Sequence, residues 1–422
     1  MKSKSGEFFT SAKPSRNNSN CQIQIISERD IKETHGMPAG ENEDQFKRLS
    51  NMTNKLQHIK EEHSQLPIIT TDKVVLPKYW QKLFVAMDHG NETETLELLA
   101  KIPEADTILQ ALLTTHPMSY LRTLISFSIA SKAMGMVALP TEITITPGTF
   151  EILIKDLATT LLHPAKVQFS FGLPTHHAFR DSGSGFCIMD KTAMLIKYKA
   201  QTSLSSLKFI IVGTDINRDN GLSHDLMTTA SKLDICHVDI FDSRVYPGEN
   251  HLSLELKFKS KGQDVGQEIR VWTQNNMAYF AVDLSLTQRG NGSMHAALEF
   301  ALEKIRQQMK QAQDKGQRIM LMLPTGWDSH QDETAPCGKY INDHWMNKDE
   351  AERTRFSNQD LSNFYEQLFD LYKANQKVFS GVYWGLEGGY NRSMYERQIE
   401  LLMNIVLEKL VNHPAQEPSK RL

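Results

Sequence analysis

The sequence predicts an α/β fold in which a parallel β-sheet is sandwiched between α-helices. Short apolar runs rich in β-branched and aromatic residues alternate with stretches of helical periodicity, which is the pattern of repeated βαβ units. Parallel strands need long crossover connections, so helices are expected to cover both faces of the sheet. The predicted strands are Leu207–Val212, Cys236–Phe241, Arg318–Leu323 and Phe379–Trp384.

The segments around these strands have apolar residues at helical spacing. A first helical region begins at Trp80 and continues to Phe127, ahead of the first predicted strand. Thr146-Pro147-Gly148 then predicts a turn and a helix start. The helices predicted beyond that turn are Phe150–Leu162, Leu222–Leu233, Met294–Ala312, Leu361–Ala374 and Arg397–Leu410.

Composition divides the chain into two parts. Residues 1–70 are rich in Asn, Ser, Lys and Glu and poor in aromatic residues, which predicts a polar, flexible amino-terminal segment. Within it, Ser50–Glu62 could form a short charged helix, although no strong apolar stripe supports one. Residues 71–422 are long enough for one large domain, and we expect a single α/β domain there.

The charge and the apolar pattern exclude several classes of protein. A net charge of −3 is not that of a protein with a strongly basic surface, so no direct nucleic-acid binding is expected. No apolar run reaches transmembrane length and no apolar stretch follows the first lysines, which predicts a cytoplasmic protein without a membrane partner. The four cysteines show no CxxC spacing and are expected to be free thiols.

Polar residues collect directly after the predicted strands, where α/β folds place their ligand sites. Asp215 and Asn217 lie two positions apart in an extended segment and therefore share a side, and Asp328 follows another strand. Three such ligands and an open position for water describe a catalytic zinc site. Alternatively, the two aspartates cap helices and Asn217 supports a turn.

Two further segments carry groups that could take part in catalysis. His176 and His177 are adjacent on one loop, and imidazole can accept or donate a proton near neutral pH. Tyr390 follows Gly388 and Gly389, and its phenol could donate a hydrogen bond to a developing oxyanion. Taken alone, the histidines could equally be solvated loop residues, and the tyrosine could be part of a packed turn.

Taken together, these segments resemble the histone deacetylase and acetylpolyamine amidohydrolase superfamily, whose fold is the arginase–deacetylase α/β fold. The resemblance implies a zinc-dependent amidohydrolase, a deacetylase that acts on acetyl-lysine in a protein such as a histone tail and so regulates chromatin. The segments that carry it, in chain order, are Leu113–Tyr120, Pro174–Ala178, Gly185–Asp190, Asp215–Gly221, Tyr246–Gly248, Gly326–His330 and Gly388–Tyr390.

The resemblance also implies a role for each site residue. His177 would be the general base, His176 its electrostatic partner and a proton donor to the leaving amine, and Tyr390 the phenol that stabilises the oxyanion together with zinc. Asp215, Asn217 and Asp328 would bind the metal. The residues implied to bind the substrate are Gly185, Phe186, Gly388 and Gly389.

The chain departs from the family pattern at two positions. Asn217 stands where the family has a metal-binding histidine, which predicts weaker zinc binding or the use of another divalent ion, since oxygen ligands suit harder cations. Gly213 stands where the family often has an acid, so His176 is expected to lack its carboxylate partner. Asn220 takes the place of the partner of His177, and Asp219 or His224 could replace the missing metal ligand.

Two alternative functions remain open. A small-molecule, acetylpolyamine-like amidohydrolase would need an acidic entrance, which Asp332-Glu333-Thr334 could supply. A catalytically weak protein that binds acetyl-lysine would agree with the changed residue Asn217. The Asn-rich amino-terminal segment and the altered metal segment also resemble those of bacterial effectors that are secreted into a host cell, where the target would be histones in the nucleus.

Overall fold

The computed structural model describes residues 23–27, 47–140, 142–229, 232–266, 268–287, 294–341 and 344–412. In these ranges the strands follow the alternation that the sequence predicts. In chain order they are β1 (Ile23–Ser27), β2 (Ile68–Thr70), β3 (Val137–Leu139), β4 (Ile143–Ile145), β5 (Val167–Phe171), β6 (Leu207–Gly213), β7 (Asp234–Phe241), β8 (Gln263–Asp264), β9 (Arg270–Gln274), β10 (Met277–Asp283), β11 (Arg318–Thr325), β12 (Tyr340–Ile341), β13 (His344–Trp345) and β14 (Phe379–Leu386).

Ten of these strands form one twisted sheet in the order β2-β1-β5-β14-β11-β6-β7-β10-β9-β8. Every neighbouring pair from β2 to β10 is parallel, and β9 and β8 are added antiparallel at the far edge. The two short pairs β3–β4 and β12–β13 stand apart from it. All four predicted strands are present and lie together in the middle of the sheet.

Helices cover both faces of the sheet, as the fold class predicts. Each helix predicted after residue 146 is present, with ends displaced by a few residues. The α-helices are Arg48–Glu62, Lys78–Asp88, Glu92–Ala100, Thr107–Thr115, Met118–Met134, Thr149–Leu162, Lys191–Thr202, Asn220–Thr229, His251–Phe258, Ala296–Asp314, Pro336–Lys339, Lys348–Thr354, Asn358–Ala374 and Arg392–Val406.

Two apolar cores lie on the opposite faces of the sheet, because side chains alternate along each strand. In β6, Ile210 and Val212 belong to one core, and Phe209 and Ile211 belong to the other. A strand that is buried on both faces has no polar side to expose, and this explains its continuous apolar sequence.

The amino-terminal part of the chain differs from the expected polar, flexible segment. Ile23–Ser27 and Ile68–Thr70 pair with each other and extend the main sheet from β5. Arg48–Glu62 is a helix that buries Leu49, Met52, Leu56 and Ile59 in the core. The described part of residues 1–70 therefore packs on the domain, and its other residues lie outside the described ranges.

Two further observations concern the length of the apolar helices and the state of the cysteines. In the part of the chain that the structure describes, no helix is long and apolar enough to span a bilayer. Cys187 and Cys236 are buried free thiols, as predicted. Cys21 and the side chain of Cys337 lie outside the described part.

Candidate active site

The predicted site residues meet at the carboxyl ends of four adjacent strands, β5, β14, β11 and β6. His176 and His177 follow β5, Tyr390 follows β14, Asp328 follows β11 and Asp215 follows β6. Residues far apart in sequence thus reach one edge of the sheet, where doubly wound folds bind ligands. Most of them line a cavity of about 270 Å³, whose lining includes His176, His177, Asp215, Asn217, Gly185, Phe186, Tyr246 and Tyr390. Asp328 does not belong to this lining.

The histidine pair is buried, and the carboxylate of Glu387 holds its loop by hydrogen bonds. The two rings lie 3.9 Å apart between centroids. Glu387 accepts hydrogen bonds from the amide and hydroxyl of Thr175 and from the amide of His176, at 3.2 Å for the last of these. Because Glu387 directly follows β14, it joins the histidine loop to the strand that carries Tyr390.

The two imidazoles have different partners and opposite pKa shifts. His177 lies with Nδ1 2.6 Å from Asn220 Oδ1, so Nδ1 donates and Nε2 keeps its lone pair. Burial and the neighbouring His176 lower the pKa of His177 well below its usual value, which keeps it neutral. Burial alone would do the same to His176, but Asp215, Asp219 and Glu387 raise its pKa well above the usual value.

The structure contradicts the expectation that His176 lacks a carboxylate partner. His176 Nδ1 lies 2.8 Å from Asp219 Oδ1, and the other oxygen of Asp219 lies 2.9 Å from His237 Nε2. A Cβ on Gly213 would lie only 2.3 Å from Asp219 Oδ2. Asp219 therefore fills the space that the absent side chain at position 213 leaves.

The carboxylates of Asp215 and Asp328 lie close together, and Asp215 lines the cavity. A Cβ on Gly326 would lie 2.0 Å from Asp215 Oδ2 and 2.6 Å from Asp328 Oδ1. Asp215 accepts hydrogen bonds from the amides of Asn217 and Gly388, whereas Asp328 accepts one from Ile216. Three of the four carboxylate oxygens thus accept hydrogen bonds from backbone amides, as the alternative role of the aspartates in caps and turns predicts. Asp328 Oδ2 is buried and has no hydrogen-bond partner among the described residues.

The electrostatics of these two carboxylates favour a cation. Burial and the charge of Asp215 raise the pKa of Asp328 well above its usual value, and burial raises that of Asp215. Two buried like charges are costly unless a cation or proton neutralises them. The unsatisfied oxygen of Asp328 and this repulsion both fit a divalent metal ion at this position.

Asn217 lines the same cavity as Asp215, and its backbone amide donates a hydrogen bond to the carboxylate of Asp215. Its side-chain amide nitrogen donates to the carbonyl oxygen of Tyr246 at 2.8 Å. The nitrogen is therefore engaged, and the side-chain oxygen is the atom of Asn217 that can bind a cation. Neither alternative ligand replaces Asn217. The carboxylate of Asp219 is hydrogen-bonded to His176 and His237, and His224 is exposed and packs against Phe179.

Gly185 and Phe186 form a narrow wall of the cavity. Both have positive φ angles, +51° and +66°. A Cβ on Gly185 would lie 2.7 Å from the ring of Tyr246 and 2.8 Å from that of His177, so only glycine fits. Phe186 packs edge-on against Tyr390 with ring centroids 6.1 Å apart. The two rings are therefore in contact, and together they give the cavity an apolar side against which an aliphatic chain can pack.

Gly388 and Gly389, predicted to bind substrate, do not belong to the cavity lining. A Cβ on Gly388 would lie 1.9 Å from Asp328 Oδ2, and one on Gly389 would lie 2.8 Å from Trp327 Cβ. The absence of side chains at these two positions lets the loop that carries Tyr390 approach the carboxylates closely.

Two residues, Arg48 and Glu333, hold the Tyr390 loop in roles that the sequence did not reveal. Arg48, from the amino-terminal helix, donates to the carbonyls of Glu387, Gly388 and Gly389, and its guanidinium lies 5.0 Å from the centre of the Tyr390 ring. Glu333 accepts the amide hydrogen of Tyr390 at 2.6 Å. No local pattern marks Arg48, because its partners lie more than 300 residues away in sequence.

The acidic entrance expected for a polyamine substrate is not formed by Asp332 and Glu333. Glu333 is fully buried and bonds the amides of Thr334, Ala335 and Tyr390, among others. Asp332 forms an ion pair with Arg397 at 2.8 Å. Both carboxylates therefore act in the structure of the loop and not at the mouth of the cavity.

Comparisons with known proteins concern the family and the fold of the chain. The family described as histone deacetylase domain matches residues 77–406. Among solved structures, the crystal structure of the HDA15 HD domain is similar with a TM-score of 0.56 and 12% sequence identity, over 92% of this chain and 90% of that chain. No curated protein matches the sequence. The structural similarity confirms the predicted arginase–deacetylase fold and, at this identity, concerns the fold alone.

Proposed function

The chain belongs to the histone deacetylase family, and from this premise we propose that it is a divalent-metal-dependent lysine deacetylase acting on protein tails. The observation that supports this proposal best is the convergence of a histidine pair, Asp215 and a phenol on one cavity, with the carboxylate of Asp328 close to that of Asp215. An amide hydrolase needs a general base, a proton donor for the leaving amine and a group that stabilises the oxyanion. This cavity offers a candidate for each.

Asp215, Asn217 and Asp328 would hold the metal ion, for which zinc is our first choice. When bound, the ion would supply polarisation of the amide carbonyl and acidification of a water molecule. His177 would accept the proton of the attacking water at Nε2, because its Nδ1 is held by Asn220. His176, positively charged between Asp215 and Asp219, would be placed to protonate the leaving amine.

Tyr390 would donate its phenolic hydrogen to the oxyanion. Arg48 and Glu333 fix its backbone, so little reorganisation would accompany the reaction. Phe186 and Tyr246 would cover the methylene groups of the substrate lysine and exclude water from them.

The proposal is tested by acetate release from an acetyl-lysine peptide by the purified full chain in the presence of zinc. We expect release that a chelator abolishes and that added zinc restores. A folded, metal-loaded protein that releases no acetate would rule out the deacetylase.

A second candidate, an acetyl-lysine-binding protein with little catalysis, is favoured by Asn217. An amide oxygen binds zinc less strongly than imidazole. Peptide binding that is unaffected by a chelator, together with no acetate release, would support this second candidate.

Replacing Asn217 with histidine is expected to strengthen zinc binding by about tenfold, which corresponds to roughly 1.4 kcal/mol. Imidazole is a better zinc ligand than an amide and carries the same zero charge. Zinc affinity is measured by competition with a chromogenic chelator, and Asn217→Ala is the control that should weaken it. Equal affinity in all three proteins would show that residue 217 does not bind the ion.

Replacing Asp219 with alanine is expected to lower kcat by about 10- to 100-fold, the usual effect of losing a carboxylate that orients a site histidine. The double variant Gly213→Asp/Asp219→Gly should recover much of the loss, because it returns the acid to the space beside Gly213. Acetate release by each folded variant is the measurement. A wild-type rate in Asp219→Ala would contradict the assigned role.

A further inference from the structure

We propose that Tyr340 and Trp345, at the mouth of the cavity, bind the polypeptide that carries the acyl-lysine, and that Glu142 selects a basic residue in it. This inference rests on the proposed function and specifies its substrate. The two aromatic side chains are 45% and 55% exposed. Their rings meet edge to face with centroids 5.5 Å apart. Large exposed aromatic residues beside a cavity are typical of binding sites.

Tyr340 and Trp345 belong to the short antiparallel strand pair β12–β13, which contacts with neighbouring residues hold in place. Tyr340 and Trp345 are register partners in β12–β13, and the amide of Met346 donates to the carbonyl of Lys339 at 2.8 Å. Arg355, fully buried, donates to the carbonyl of Gly338 and forms a 2.8 Å ion pair with Asp242. The strand pair β12–β13 is thereby held at the cavity, whose lining includes Tyr340.

The charge at the mouth is negative. Glu142 is exposed and lines the cavity, and no lysine or arginine occurs among the described lining residues. Lys339 donates to the carbonyl of Gln331 and Arg244 forms ion pairs with Asp242 and Glu350, and neither side chain belongs to the lining. Aromatic faces and a carboxylate together attract a cationic side chain.

The position of Trp345 distinguishes a polypeptide from a small amine. Trp345 is not part of the cavity lining, although its partner Tyr340 is. An acetylated small molecule that fills the cavity need not reach it, whereas the chain on either side of an acyl-lysine must cross the rim. The pair and Glu142 therefore favour an acyl-lysine peptide with lysine or arginine close by.

The test compares three substrates of the full-length, zinc-loaded protein. They are Nε-acetyl-lysine amide, an acetyl-lysine peptide with flanking lysines and the same peptide with flanking glutamates. Trp345→Ala should lower kcat/KM for the lysine-flanked peptide by about 3- to 10-fold relative to the amide, a typical loss for an aromatic contact. Trp345→Phe should retain most of the preference for the lysine-flanked peptide over the amide. The matched control is Leu204→Ala, which removes an exposed apolar side chain just before β6, at the opposite end of the sheet.

Each outcome decides the inference. An equal fall for all three substrates in Trp345→Ala, or no fall for the peptides, overturns the role of the pair. Glu142→Gln should abolish the preference for lysine over glutamate, and a preference that persists overturns the role of Glu142. Peptide dissociation constants of the same proteins are measured by fluorescence anisotropy. If no substrate releases acetate, the proposed function fails, and unchanged peptide affinity in Trp345→Ala then overturns the inference separately.

Discussion

Replacing His177 with alanine is expected to lower kcat for an acetyl-lysine peptide by about 10²- to 10⁴-fold, the range for loss of a general base. The hydrogen bond to Asn220 leaves Nε2 of His177 as the acceptor, and burial beside the charged His176 keeps the ring neutral. His177 is not among the proposed metal ligands, so the metal content should stay close to that of the wild type.

The measurement is acetate release together with metal content, for the wild type and the His177→Ala variant. His224→Ala is a matched control, because His224 is exposed and does not line the cavity. A wild-type kcat in His177→Ala with an intact fold would remove His177 from the mechanism. Loss of metal along with activity would instead assign it a structural role at the metal site.

Replacing Tyr390 with phenylalanine is expected to lower kcat by about 10²- to 10³-fold, the usual effect of removing one oxyanion donor. The ring contacts with Phe186 and Arg48 should remain, because phenylalanine keeps the aromatic face. Peptide affinity should therefore change little, and the loss should fall on kcat.

Tyr395→Phe is the matched control for this variant. Tyr395 lies five positions further along, is buried, and its hydroxyl accepts a hydrogen bond from Asn51 outside the cavity lining. Its loss should affect stability and leave kcat unchanged. If Tyr390→Phe retained the full rate, the phenol would have no role in stabilising the oxyanion.

The central part of the fold could be predicted from sequence because its strands are buried on both faces. The continuous apolar run Phe209–Val212 is an example. The edge of the sheet was harder to predict. Ile23–Ser27 is a short run inside a polar segment, and its pairing with β5 depends on contacts with residues about 140 positions away. Val167–Phe171 alternates apolar and polar residues and Met277–Asp283 begins with six apolar residues, so both carry a strand pattern although neither is among the predicted strands.

The positions of the candidate site could be predicted because strand ends are local signals, whereas their supporting partners could not. The family pattern places the partner of His176 at residue 213, where this chain has glycine. The structure brings Asp219 into that space from the next turn. Glu387 and Glu333 are further examples, because each accepts hydrogen bonds from backbone amides of another loop. Such contacts depend on the tertiary fold and leave no periodic pattern in the sequence.

The metal site is tested most directly by a crystal structure of the full chain grown with zinc, with anomalous data collected on both sides of the zinc absorption edge. We expect one strong anomalous peak bounded by Asp215, Asn217 and Asp328, at the unsatisfied oxygen of Asp328. A peak confined to the cluster of Asp219, His237 and Asp239, or no peak in zinc-saturated crystals, would contradict the proposed metal site and the hydrolase built on it.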